Sequence, residues 1–227
     1  TRAARGAWAR GATEPGLRVT NGPALIAGKG MAAPETGANY ARACELAETL
    51  GETKEQFAAL WGDWVYKNSC GQLIAASRRS EDLVMLSRKL GDDEYILQAH
   101  HSRWTNFFFL GDIRVARADS LQGIRIYDRA RHRNHKHLYG GHDPGVCAYN
   151  FGANAAWAAG HTKEALRLAQ DSVTLAKELD HSLSLATAYL FSLQISHYIR
   201  DHPGVVARAE TLLALCEKHR FPQWVGS

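Results

Sequence analysis

With 227 residues and a mass of 25.0 kDa, the chain can form one large domain or two small ones around a sizeable core. Hydrophobic residues make up 45% and charged residues 22% at a net charge of +4, which excludes disorder over the whole length. No apolar stretch approaches the roughly 20 residues that span a bilayer, and no charged start leads into an apolar segment. No membrane partner is therefore expected, and a cytoplasmic location is.

Four cysteines (Cys44, Cys70, Cys147 and Cys216) lie far apart without a CxxC pair. They read as small buried apolar residues in a reducing compartment, with no metal or other cofactor expected. Charges of both signs alternate along the candidate helices, the pattern of solvated faces, and nucleic acid is not an expected partner.

In chain order, residues 1–21 are rich in Ala, Gly and Arg without strong periodicity and form a poorly defined N-terminal segment. Residues 22–227 read as a helical repeat domain. Pro34 followed by Glu35 suits the start of a helix that ends near Leu50. Lys54 to Cys70 carries Phe57, Leu60, Trp61, Trp64 and Val65 at i, i+3, i+4, i+7 and i+8, one apolar helical stripe. Glu94–Leu110, Thr162–Leu179 and Ser182–Ile199 read as further helices, with Thr162 as an N-cap.

The breaks between helices repeat. Leu50-Gly51 and Leu90-Gly91 lie 40 residues apart, as do Gly71 and Gly111, and as do Leu179-Asp180 and His219-Arg220; Gly160 and Asp201 lie 41 apart. Small residues follow the mid-unit breaks at Ala76, Ala116, Ala165 and Val206, then Val84, Ile124, Val173 and Ala214 two turns on. This predicts an all-α, right-handed superhelix of about five antiparallel helix pairs, with no sheet.

One interval is longer. Gly111 to Gly160 spans 49 residues, and the surplus falls in an inserted loop at about 129–144, RARHRNHKHLYGGHDP, with turn signals at Gly140-Gly141 and Asp143-Pro144. Its Leu138, Tyr139 and four histidines are not linker composition. The loop is expected to fold back on the concave face, with Tyr139 against aromatics near Trp104 or Phe108. Asp143 is then the cap and Pro144 the first residue of the next helix.

The segments NGPALIAGKGMAAPETGANYARACELAETLGET, FAALWGDWVY, YDRARHRNHKHLYGGHDPGVCAY and ALCEKHRFPQW resemble the tetratricopeptide-repeat (TPR) region of a bacterial family. In that family a class III adenylate or guanylate cyclase domain and an ATPase domain precede helical repeats. The resemblance covers about Gly22 to Trp224 and is most specific at Tyr139 to Cys147. It implies a TPR-like superhelix and a non-catalytic regulatory module within a longer polypeptide. Nothing in this chain resembles the cyclase or ATPase portions, and it holds no GxxxxGK[ST] phosphate loop.

First helices of stacked pairs line the concave surface, where ligands are usually contacted. The groove candidates are Trp64, Tyr66, Trp104, Asn106, Phe108, Tyr139, His142 and Asn150, with aromatic anchors and polar residues that orient a partner. The expected partner is a protein or peptide, including another domain of the same polypeptide, and self-association is open to an array with an uncovered end. The alternative is a metal-dependent enzyme or metal-binding protein using the histidine-rich loop 132–142. Its His132, His135, His137 and His142 offer imidazoles, although H-x2-H-x-H-x4-H fits no common zinc pattern. No catalytic residue is expected: Ser196-His197 and His101-Ser102 are sequence neighbours, and adjacent helix residues do not face each other.

Overall fold

The computed structural model describes residues 2–48, 54–219 and 221, with side chains at residue 14 and from 16 onward. The described residues form helices α1 (Arg2–Lys29), α2 (Pro34–Glu48), α3 (Lys54–Ser69), α4 (Leu73–Leu90), α5 (Asp93–Phe109), α6 (Ile113–Ile126), α7 (His135–Leu138), α8 (Pro144–Ala158), α9 (Thr162–Glu178), α10 (Ser182–Tyr198) and α11 (His202–His219). No strand occurs among them. None of these helices is long and apolar enough to cross a membrane. The pairs α1–α2, α3–α4, α5–α6, α8–α9 and α10–α11 stack in order. First helices touch one another along an inner layer, α1 to α3, α3 to α5, α5 to α8 and α8 to α10, and each second helix packs on the following first helix. Among the described residues this is the all-helical array of five helix pairs that the period predicts.

Turns inside successive pairs are closed by a residue in the left-handed region: Gly71 (φ 71°), Gly111 (φ 82°), Gly160 (φ 83°) and Arg200 (φ 61°). In the last pair this residue is Arg200, one position before the expected Asp201. Asp201 instead starts α11, its carboxylate accepting from Gly204 N–H at 3.1 Å. The register shift explains why Val206 is 56% exposed and Ala214 also faces solvent, while Leu212 and Cys216 are buried. Ala76, Ala116 and Ala165 are buried as expected.

Within each pair, the residues eight before and eight after that left-handed position meet. Asp63 accepts from Arg79 Nε at 2.7 Å, and Arg103 Nε donates to Asp119 at 2.9 Å, the same pair of positions with the charges exchanged. In the next pair Gly152 faces Leu168, and in the last Arg208 Nε donates to Ser192 at 2.9 Å. The backbone register is thus held while the chemistry at the contact changes.

As at Asp201, side-chain caps begin four further helices: Asp92 accepts from Glu94 N–H, Asp112 from Val115 N–H, Asp143 from Gly145 and Val146 N–H, and His181 from Ser184 N–H. Thr162 is not a cap. It is the first helical residue of α9, and His161 holds the cap position without a side-chain bond. The boundary between residues 21 and 22 falls inside α1, which runs on without a break. The expected breaks at Leu50-Gly51 and Arg220, and residues 222–224 of the resemblance, lie outside the described residues.

Close approach of α2 to α3 depends on Gly62. A Cβ there would lie 1.9 Å from Cε1 of Tyr40, whose ring is buried against it. Gly62→Ala is therefore expected to destabilise the chain by about 1–3 kcal/mol, the cost of overpacking a filled site. Gly16→Ala, in α1 where nothing lies within 4 Å, is expected to be neutral or stabilising by up to about 1 kcal/mol. Urea titrations followed by circular dichroism check both.

Candidate functional site

The surplus segment does not open a groove; it fills one. After α6 the chain makes an Asx turn, with Arg131 N–H donating to Asp128 Oδ1 at 2.8 Å, and Tyr127 and His132 stack at 5.8 Å. Arg131 reaches Asp92 and Asp93 at 3.0 Å each, and Arg129 pairs with Glu178 at 3.4 Å. These exposed pairs guide the path more than they stabilise it. Asp143 then ends the segment: its backbone N–H donates to Ser184 Oγ at 2.9 Å, and its carboxylate accepts from Tyr127 Oη at 3.0 Å. The segment is fixed at both ends to inner-layer helices, and Asp143 and Pro144 take the cap and first-turn places expected of them.

Between these ends Tyr139 is buried. It lies 5.1 Å from Trp61, 5.3 Å from His135 and 6.5 Å edge-on from Phe57. The expected seat near Trp104 or Phe108 is not the one observed. Gly140, at φ 54°, brings backbone so close to Trp61 that a Cβ would lie 3.0 Å from its ring, which directs the loop onto α3.

Beneath the segment, His101 stacks on Trp104 at 4.9 Å and meets the edges of Trp61 and Trp64 at 5.7 and 6.0 Å. His142 enters from the loop, its ring 5.4 Å from that of His101. His101 Nδ1 pairs with Gln98 Oε1 at 3.1 Å, Gln98 Nε2 with His135 Nδ1 at 2.9 Å, and His142 Nδ1 with the Gly140 carbonyl at 3.2 Å. Cys147 Sγ lies 3.2 Å from His101 Nε2. The donor atoms of His101, His142 and Cys147 all fall within 4.8 Å of one another.

Burial governs the protonation of this cluster. It holds His101 well below the usual histidine range, with the neighbouring His142 and His135 adding to the effect, and it lowers His142 as well. It lowers His135 to about 4, with His132 adding to it, and pushes the Cys147 thiol up to about 12. His181, beside Lys136 and His137 of the segment, is lowered to about 4, chiefly by burial.

Of the eight groove candidates, Trp64, Trp104, Tyr139 and His142 come together here. The other four do not. Tyr66 packs on Gly37 of α2 on the opposite side of α3. Asn150 turns toward α9, its Oδ1 accepting from Ser172 Oγ at 2.6 Å. Phe108 turns to the edge of Phe151, which in turn meets Phe191. Asn106 is fully buried with neither amide atom hydrogen-bonded. The histidine-rich loop does not converge on one point either: His132 and His135 are buried in contact, His137 is exposed against His181, and of the four only His142 brings a ring nitrogen to the group of His101 and Cys147.

Sequence reasoning missed Gln98 and the role of His101. A signal for His101 was present: it lies 40 residues after Trp61, as Trp104 lies 40 after Trp64, so the period alone sets it beside the tryptophans. The Ser–His neighbours do not pair. Ser102 Oγ donates to the Ala99 carbonyl, His100 binds Asp119, and Ser196 is buried where His197 is exposed. On the outer side of the segment, Arg129, Ala130, Arg133, Lys136 and Leu179 line an open basic hollow, with Leu138 56% exposed on the same segment.

No protein-family model matches the chain. An uncharacterized protein of Rhizobium meliloti (strain 1021) is 29% identical over 184 residues; these are 79% of this chain and 17% of that protein. The chain thus spans about a sixth of the length of its curated relative. Two crystal structures of the nearly identical TPR-like repeats of kinesin light chain from Podosopora anserina superpose with TM-scores of 0.61 and 0.58, at 17% and 18% identity. They cover 92% and 89% of this chain and 98% and 95% of their own. These likenesses show the fold, a TPR-type helical repeat.

Two measurements test the packed segment. Tyr139→Ala is expected to cost about 2–4 kcal/mol, as for a large aromatic truncated in a filled site, and to open the Arg131–Gly141 stretch to protease. Because His135 and His181 take up protons near pH 4 when folded but nearer their ordinary range when unfolded, the unfolded chain binds more protons between about pH 6.5 and 4. Stability is therefore expected to fall as pH drops through that window, with a shallower slope in His135→Gln; urea midpoints at half-unit pH steps read this out.

Proposed function

We propose that the chain is a non-catalytic protein-interaction and regulatory module within a longer polypeptide, in which it accompanies cyclase and ATPase domains. Its partner is an acidic peptide segment, supplied by another protein or by another domain of the same polypeptide. The observation that carries this reading is the outer side of the inserted segment. With the centre of the inner layer already occupied by Tyr139 and His142, the accessible chemistry is the basic hollow of Arg129, Arg133 and Lys136, which Leu179 also lines. Guanidinium groups bind carboxylates in bidentate fashion, and the leucine of the lining gives an apolar contact. The small share of the Rhizobium relative that this chain spans supports a place inside a larger protein. The regulator context rests on the resemblance of Tyr139 to Cys147 and its flanks. Exposed Val206 and Leu213 on α11 offer a separate route to self-association.

The experiment is a binding titration with acidic and charge-neutral peptides of equal length. The acidic peptides are expected to bind with an affinity that falls as salt rises, and Arg133→Glu with Lys136→Glu is expected to weaken them at least tenfold while the helical signal is unchanged. Equal binding of both peptide sets, or indifference to the charge reversal, overturns the reading.

A further inference from the structure

We propose that His101, His142 and Cys147 form a buried transition-metal site that takes Zn2+ through two imidazole nitrogens and one thiolate. The three side chains come from the middle of α5, the end of the inserted segment and the first turn of α8, and no feature of the interaction surface uses them. Their donor atoms lie within 4.8 Å of one another, and His101 Nε2 and Cys147 Sγ are 3.2 Å apart. Tetrahedral zinc, with bonds of about 2.0–2.1 Å to nitrogen and 2.3 Å to sulfur, needs donors roughly 3.3–3.6 Å apart. The His101–Cys147 pair is already near that separation, and His142 closes the triangle by moving about 1 Å. It stands directly after Gly140 and Gly141, where the backbone can turn.

The hydrogen bonds around the cluster set both imidazoles for this role. Gln98 Oε1 can only accept, so His101 Nδ1 carries the proton and Nε2 presents its lone pair to Cys147. The amide of Gln98 is held in that orientation because its nitrogen donates to His135 Nδ1. The Gly140 carbonyl likewise accepts from His142 Nδ1, leaving His142 Nε2 as a free lone pair. Histidines that bind metal are held in this way, one nitrogen on the ion and the other donating to an oxygen. A second and independent observation is the state of His142 Nε2: it is buried with no hydrogen-bond partner.

A thiol donating to His101 explains one contact and leaves the His142 nitrogen unmet, which is costly in a buried place. A metal ion satisfies all three atoms together. As the sulfur–metal bond forms, the thiol proton leaves to solvent. Two imidazoles and one thiolate suit borderline-soft ions such as zinc. Among the described residues no fourth His, Cys, Asp or Glu joins the group, so the fourth position is left to water or stays open. The carboxylate of Asp143, next to His142 in sequence and close enough to Cys147 to oppose its ionisation, offsets the remaining positive charge.

The test is metal analysis and titration on this chain, stripped with chelator and then given Zn2+ or Co2+ alone. Expected is about one ion retained per chain, with a thiolate-to-cobalt charge-transfer absorption in the Co2+ form. Cys147→Ser and His142→Gln are each expected to weaken binding at least about 100-fold, and Gln98→Met about 10–100-fold through its hold on His101. His137→Ala, on the exposed part of the segment, leaves binding unchanged. The proposal is overturned if the unsubstituted chain retains under about a tenth of an equivalent, or if its Co2+ form lacks the thiolate band. It is also overturned if His137→Ala removes the ion while Cys147→Ser keeps it. The spectrum of the unsubstituted chain decides the matter even where a variant fails to fold.

Discussion

The inner helices α3 and α5 present rings that need a cover, and the seating of Tyr139 between Phe57 and Trp61 supplies it. Phe57, Trp61 and Trp64 share one core cluster with Tyr139, and Trp104 lies in the adjoining cluster against α6 and α8, so the segment completes a core that the helices begin. At roughly 25 cal/mol per Å2, burying apolar ring surface offsets much of the roughly 1–2 kcal/mol per residue lost in ordering this loop, which is held at both ends. The long interval between Gly111 and Gly160 is therefore as much a part of the core as the helices are.

The period was legible because it is written in backbone chemistry. A left-handed turn residue recurs, usually as glycine, and small residues follow where helices approach. That signal weakened where a residue other than glycine took the turn: Arg200 adopts the left-handed conformation although nothing in its side chain announces it, and the expected register of α11 slipped by one residue. The site was legible in part for the same reason. Trp64, Trp104, Tyr139 and His142 could be selected by type, but the direction each side chain takes depends on its place around the helix and on what packs opposite. Tyr66 is two residues from Trp64 and so points about 160° away from it on a helix, over Gly37. Asn150 qualifies by type as a groove residue, yet its amide faces Ser172.

The polar groups inside the cluster form a connected set. Gln98 ties His101 to His135, and Gly140 orients His142, so that a change in one imidazole alters the tautomer demanded of the next. Burial keeps these histidines neutral near pH 7, which makes them hydrogen-bonding and ligating groups and not fixed charges. The positive charge of the segment sits elsewhere, on arginines and a lysine that look outward. One stretch of some fifteen residues thus has a neutral buried side and a basic accessible side, and the two can serve separate purposes.

An array of helix pairs is ordinarily a one-dimensional object, in which each unit feels only its neighbours and the ends can fray alone. The inserted segment changes that dimensionality. It joins Tyr139 to Phe57, more than eighty positions earlier in the chain, and Asp143 and Gly141 to Ser184 and Leu183, some forty positions later. Closing such long loops slows folding, because their entropy is lost before the contacts form. Once closed, they bind the middle units and the fifth pair into a single cooperative block. The segment thereby turns a modular stack into a structure that gains or loses its last four pairs together.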